Sequence, residues 1–169
     1  MENKNGHSDV EKFRELIKDI KIAMLTTVDE NNGSLRSRPM GTQLEDFDGH
    51  YLWFFTYGRS PKVQDVQQDR QVNVSYADPG SNRFVSVSGR ALLVRDRQTM
   101  EKYWDTIYKA WFPDGLDTPD IALLQVAVDK AEYWDAPSNK FVTLVGFLKA
   151  VVTGQQYEGG ENEKINFKP

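Results

Sequence analysis

A mainly β fold is predicted for this chain: about six antiparallel strands curled into a closed or nearly closed barrel, with helices at its periphery. Three observations predict it. Short β-prone runs recur along the 169 residues with turn signals between them. The connections are too short for parallel crossovers, so neighbouring runs pair antiparallel. The βαβ alternation and glycine-rich first turn of a dinucleotide-binding fold are absent. Closure of the sheet is favoured because it removes exposed strand edges.

The elements follow in order. Ser8-Asp9-Val10-Glu11 reads as a capping box, and Val10, Phe13, Leu16, Ile17 and Ile20 then recur at helical spacing. Residues 22–28 form a short apolar strand. Asp29-Glu30-Asn31-Asn32-Gly33 turns the chain, with Asn-Gly suited to the positive φ of a tight hairpin. Residues 34–42 return, Asp46-Phe47-Asp48-Gly49 turns again, and residues 51–57 make a third strand. Ser60 is placed to cap the next helix, with Pro61 at its first position, where a missing N–H costs nothing. Strands over 71–77 and 84–94 flank the turn Asp78-Pro79-Gly80-Ser81. Met100, Tyr103, Trp104, Ile107, Tyr108 and Trp111 fall at helical spacing, predicting one helix stopped by Phe112-Pro113-Asp114-Gly115. Residues 122–133 read as a long last strand. Phe141, Leu144, Val145, Leu148, Val151 and Val152 suggest a final helix ending near Gly154.

Composition bounds the function. Apolar residues make up 39% and charged residues 27%, as in an ordinary globular domain. The chain reads as one domain over 1–153 and a polar, solvated tail over 154–169. The net charge of −4 argues against broad nucleic-acid binding, which draws its affinity from cations meeting phosphates. No apolar run reaches the roughly 20 residues that span a bilayer. The first residues lack the apolar stretch of a signal peptide, so a cytoplasmic location is expected. With no cysteine, thiolate catalysis and disulfides are excluded. The two histidines, His7 and His50, cannot build a histidine-rich zinc site, and no metal site is expected. A hydrolytic triad would need His50, which follows a turn and reads as solvent-exposed. Asp114, Asp117 and Asp120 read as turn and cap residues, because a calcium loop would need a bidentate glutamate that is missing.

Two segments carry the chemistry. In Arg36-Ser37-Arg38-Pro39-Met40, strand alternation puts Arg36, Arg38 and Met40 on one face and Ser37 and Pro39 on the other. Two arginines on one face can grip a phosphate with charged, bidentate hydrogen bonds. In the second segment Leu52, Phe54 and Thr56 share a face opposite Trp53 and Phe55. Ser60 and Lys62 then stand in the first turn of a helix, whose N-terminus attracts anions. Together they suit a ligand with a phosphate at one end and a planar ring at the other. The bland alternative is that Ser-Pro is punctuation, the arginines are solvated, and Trp53-Phe54-Phe55 is barrel core.

Taken in order with Trp53-Phe54-Phe55-Thr56, Ser60-Pro61-Lys62, Val85-Ser86-Val87-Ser88-Gly89, Trp111-Phe112-Pro113-Asp114-Gly115 and Glu132-Tyr133-Trp134-Asp135, these segments resemble the FMN-binding split-barrel family related to pyridoxamine 5′-phosphate oxidase. The general-stress-protein-26-like branch is the more similar one, and the resemblance runs from the Ser8 helix to about Val152. It implies a six-stranded antiparallel split β-barrel and a cytoplasmic homodimer with FMN in a groove between subunits. FAD is the alternative, because it presents a phosphate and the same ring. The implied cofactor-binding residues are Arg36, Ser37, Arg38, Pro39, Met40, Phe54, Phe55, Thr56, Ser60, Lys62, Trp111 and Phe112. Within that set Ser60 and Lys62 would hold the phosphate, and Trp111 and Phe112 would approach the ring. Trp111 reads equally well as a helix-end anchor in the core, and Trp134 reads as core.

The resemblance also implies a flavin-dependent oxidoreductase, for which NADH or NADPH is the candidate hydride donor. No catalytic acid or base stands out. A non-enzymatic flavin carrier or redox sensor is the alternative, followed by a haem- or deazaflavin-binding relative. The C-terminal segment has no histidine, where true pyridoxamine-phosphate oxidases carry an Arg-x-His-type substrate motif, so that specific activity is not expected.

Overall fold

Alternation of buried and exposed residues, the signature of a pleated strand with one face on a core, runs through the first hairpin. The computed structural model describes residues 4–42, 47–136, 149, 151–153 and 160–167. Within them one antiparallel sheet of 7 strands is formed by β1 (Ile22–Val28), β2 (Leu35–Gly41), β3 (Tyr51–Tyr57), β4 (Gln71–Asp78), β5 (Arg83–Val94), β6 (Ile121–Asp135) and β7 (Glu161–Asn166). The order is β2-β1-β4-β5-β6-β3, with β7 also on β6. β3 takes the first half of β6 (Tyr57↔Ile121 to Tyr51↔Ala127) and β7 the second (Asn166↔Lys130 to Glu161↔Asp135). The sequence-adjacent strands β2 and β3 thus end the path on opposite sides, and the sheet curls between them as a split barrel. β5 changes register at Ser88/Gly89; a Cβ on Gly89 would lie 2.4 Å from the Ala127 carbonyl oxygen, so only glycine fits that approach.

The barrel interior is filled by inward residues such as Leu25, Phe54, Val74, Val87 and Leu124, and helix α1 (Lys4–Ile17) closes it with Phe13, Leu16 and Ile17. A second apolar layer lies outside the sheet. There Trp53 and Phe55 meet Met100, Tyr103, Tyr108 and Phe112, and Trp53 stacks on Tyr103 with centroids 4.9 Å apart. β3 is therefore apolar on both faces because both are covered.

The outward face of β2, β1, β4 and β5 is different. Register aligns Pro39, Met24, Ser75 and Ser86 in one row across the four strands. Ser37, Thr26, Asn73 and Ser88 form the next row. Neither row contains a charged residue. Short hydrogen bonds tie them laterally, including Thr26 Oγ1 with Ser37 Oγ at 2.7 Å and Asn73 Nδ2 to Ser86 Oγ at 2.9 Å.

Four expectations are corrected. α1 begins at Lys4, so Ser8 lies inside the helix rather than at its cap. The helix expected through Met100–Trp111 is two pieces, α3 (Arg97–Tyr103) and a 3-10 turn (Thr106–Ala110); the Asp105 carboxylate accepts from Ile107 N and starts a new cap where the first helix stops. β6 is not the last strand, because β7 follows it. The solvated tail is ordered over 161–167: β7 buries Ile165, and Phe167 joins Phe13 and Phe47 in an aromatic cluster. That segment looks polar because its exposed positions are glutamate, asparagine and lysine, and two apolar residues suffice to anchor it. The helix read over 141–152 lies largely outside the described residues; Lys149 and 151–153 are helical. Among the described residues no helix is long and apolar enough to cross a membrane, and no group of His, Cys, Asp or Glu could hold a metal ion.

Candidate anion and ring site

Register places Arg36 opposite Thr27 and Arg38 opposite Leu25, on the inward side of the β1–β2 hairpin. The hairpin loop sets this up: Asp29 N donates to Ser34 O, Gly33 takes φ 72°, and the Asp29 carboxylate accepts from Asn31 N at 2.8 Å and Arg36 Nη1 at 3.1 Å. Arg36 is thereby paired at the loop. Arg38 reaches inward, where Nη1 donates to Thr27 Oγ1 at 2.6 Å and Nη2 to Asp65 Oδ2 at 3.2 Å. Asp65 stands on helix α2 (Pro61–Gln68) and is 1% exposed. It also accepts from the Thr27 hydroxyl at 2.6 Å and from Glu30 N at 3.3 Å.

One turn earlier on α2 is Lys62. Its Nζ donates to Thr56 Oγ1 at 3.3 Å and Ser60 Oγ at 3.4 Å, and those two hydroxyls are 3.3 Å apart. All three contacts are longer than the usual hydrogen-bond optimum, so the groups satisfy one another weakly and can close around a further acceptor. Burial, and then the neighbouring Arg38 charge, hold the Lys62 ammonium below the ordinary lysine pKa. Among the described residues no carboxylate pairs with Lys62. The Ser60 side chain does not cap α2, contrary to the sequence expectation; it turns toward Thr56 and Lys62, and the first turn closes on the Ser60 carbonyl through Val63 N at 2.9 Å. The helix N-terminus adds its partial positive charge.

The turn that delivers Ser60 is pinned by Asp120. Gly58 N donates to Asp120 O at 2.8 Å, Arg59 N to Asp120 Oδ2 at 2.8 Å, and Arg95 Nη2 to Asp120 Oδ1 at 3.0 Å. Asp120 holds φ 63°, a left-handed conformation that aspartate tolerates better than most residues. Asp117 pairs instead with Arg97 at 3.0 Å.

Thr56, Ser60 and Lys62 thus meet at the start of α2, and Arg38, held to Asp65 on the same helix, lies near enough for its charge to act on Lys62. Met40 and Phe54 face the barrel core, and Phe55 and Phe112 the outer apolar layer, so their side chains are committed to packing. Ser37 and Pro39 face outward in the uncharged rows. Trp111 is 54% exposed, and its carbonyl accepts from Tyr57 OH at 2.8 Å; the core-anchor reading therefore fits Phe112 and not Trp111. Trp134 is also exposed, at 42%, and is not core. Sequence reasoning missed Thr27 and Asp65, and read Asp120 as a turn residue without its hold on the Ser60 turn. For Asp65 a signal existed: it sits between the core-facing Val63 and Val66, where a carboxylate needs a buried cation.

Comparison with known proteins gives the family and the fold. The family model "Pyridoxamine 5'-phosphate oxidase like" matches residues 8–158. Protein bli-3 of Neurospora crassa is 30% identical over 143 residues, covering 80% of this chain and 68% of that protein. The solved general stress FMN/FAD binding protein of Xanthomonas citri is 29% identical, with TM-score 0.65 over 76% of this chain and 89% of the other. A Jannaschia sp. CCS1 structure, provisionally described as general stress protein 26, shares the fold at 22% identity, with TM-score 0.73 over 95% of this chain and 99% of that one.

Proposed function

The chain belongs to the pyridoxamine 5′-phosphate oxidase-like family, and on that premise we propose that it is a flavin-binding oxidoreductase of the general-stress-protein type. The observation that carries this reading is the meeting of Lys62, Thr56 and Ser60 at a helix N-terminus, with a second cation, Arg38, held to Asp65 on the same helix. A phosphate monoester needs that donor set. FMN is the cofactor of choice, since its phosphate is terminal and can enter such a cradle. The Xanthomonas relative's description as an FMN/FAD binding protein supports a flavin.

In this reading the backbone of Arg36–Met40 lies along the ring. β2 ends the sheet path, pairing with β1 on one side. Its other edge offers peptide N–H and C=O groups, complementary to the polar edge of a flavin. Phe54 and Phe55 contribute through their backbones, and the exposed Trp111 ring approaches the flavin. The flavin, when bound, supplies hydride and electron transfer; the chain supplies binding, orientation and charge near the ring. NADH or NADPH is the proposed donor.

A second copy of the chain is the proposed partner. The two uncharged rows on the outward face have the charge depletion of an interface centre. They lie on the face of β2 opposite Arg38, and a dimer formed there would set a second chain against β2, the strand whose backbone is proposed to line the flavin.

The absorption spectrum of the purified protein tests the reading. A flavin spectrum, or uptake of added FMN by colourless protein, is expected; a colourless protein that takes up neither FMN nor FAD overturns it. Oxidation of NADH or NADPH with turnover of an acceptor supports the enzyme, and tight flavin binding without turnover supports a carrier.

A further inference from the structure

The Arg38–Asp65 pair carries an inference that rests on the phosphate-cradle reading and goes beyond it. Asp65, Thr27 and Arg38 form a closed triangle of hydrogen bonds at 2.6, 2.6 and 3.2 Å. The remaining Asp65 oxygen accepts from Glu30 N. Arg38 has five N–H donors and commits two of them here, which leaves three for a ligand. Asp65 and Lys62 stand three residues apart on one short helix. Holding Arg38 to Asp65 therefore also fixes Arg38 relative to Lys62.

We infer that Asp65 is a positioning residue, which with Thr27 locks the Arg38 guanidinium so that its free N–H groups and the Lys62 ammonium meet one phosphate. This assigns a buried carboxylate a role in anion recognition, and the assignment has a counterintuitive sign. As a bare charge, Asp65 opposes a phosphate, and removing it should tighten binding. As a positioner, it keeps a long, flexible cation from spending rotamer freedom when the ligand arrives, and removing it should weaken binding.

Titration of FMN and of riboflavin, which lacks the phosphate, into wild type, Asp65→Asn, Thr27→Val and Arg38→Ala separates the two. The expected result is FMN weakened roughly 10-fold in Asp65→Asn, as for one lost charge-assisted hydrogen bond, with riboflavin unchanged. Thr27→Val, nearly isosteric, should move FMN the same way by less, and decides the matter if Asp65→Asn does not fold. Adding Asp65→Asn to Arg38→Ala should cost FMN nothing further. FMN binding unchanged or tighter in both single variants, or FMN and riboflavin weakened equally, overturns the positioning role alone. Equal binding of FMN and riboflavin by the wild type removes the cradle reading and this inference with it.

Discussion

Lys62 Nζ lies 3.3 Å from Thr56 Oγ1, joining the first turn of α2 to the end of β3 with no carboxylate between them among the described residues. A half-buried ammonium left with only neutral partners is an unfinished ion pair. Lys62→Ala should therefore weaken FMN by about 10- to 100-fold, the span of one charge-assisted hydrogen bond, and leave riboflavin within about 2-fold. Fluorescence titration of both ligands checks this, and equal losses would take Lys62 out of the cradle.

The depressed Lys62 pKa gives a pH dependence. Free Lys62 loses its proton below the ordinary lysine range, and a bound phosphate restores the charged form, so binding takes up a proton between the two pKa values. FMN affinity should fall as pH rises through that window, by at most about 10-fold per pH unit, whereas riboflavin affinity should not. It should also weaken below about pH 6, where the phosphate gains its second proton. Lys62→Arg should abolish the alkaline fall. Parallel pH profiles for FMN and riboflavin would contradict this account.

Stability should register the Arg38–Asp65 pair. Arg38→Met strands a carboxylate that is 1% exposed, and the expected loss is about 3 kcal/mol in urea denaturation at neutral pH. Adding Asp65→Leu and Thr27→Val together should recover most of that loss, because an apolar cluster then replaces the ion pair and leaves no buried hydroxyl unpaired. A single variant as stable as wild type would show that the pair is not desolvated.

The uncharged rows predict the oligomeric state. Met24→Glu, at the centre of the first row, should convert a dimer to monomer in sedimentation velocity, since an unpaired carboxylate at an interface centre costs several kcal/mol. A wild-type monomer that still binds FMN would contradict a site shared between two chains.

The hairpins of this fold are legible because each carries local turn chemistry, as at Asn32-Gly33 and Asp78-Pro79-Gly80. The cradle is legible where helix punctuation does double duty, at Ser60-Pro61-Lys62. What sequence could not convey depends on distant packing. β7 reads as a tail because Phe167 finds Phe13 and Phe47 more than a hundred residues away, and Ile165 sits opposite Ala131 of β6. The helix expected through Met100–Trp111 reads as continuous because its apolar spacing survives the break; only the cap at Asp105 reveals it. Asp120 holds the Ser60 turn from 60 residues along the chain, which no local pattern encodes.

A crystal structure of the protein grown with FMN would show where the flavin phosphate sits relative to α2 and β2. Phosphate oxygens are expected within hydrogen-bond distance of Lys62 Nζ, Ser60 Oγ and the Arg38 guanidinium, with Arg38 still held by Asp65. A flavin phosphate lying away from Lys62 and Arg38 would contradict that expectation.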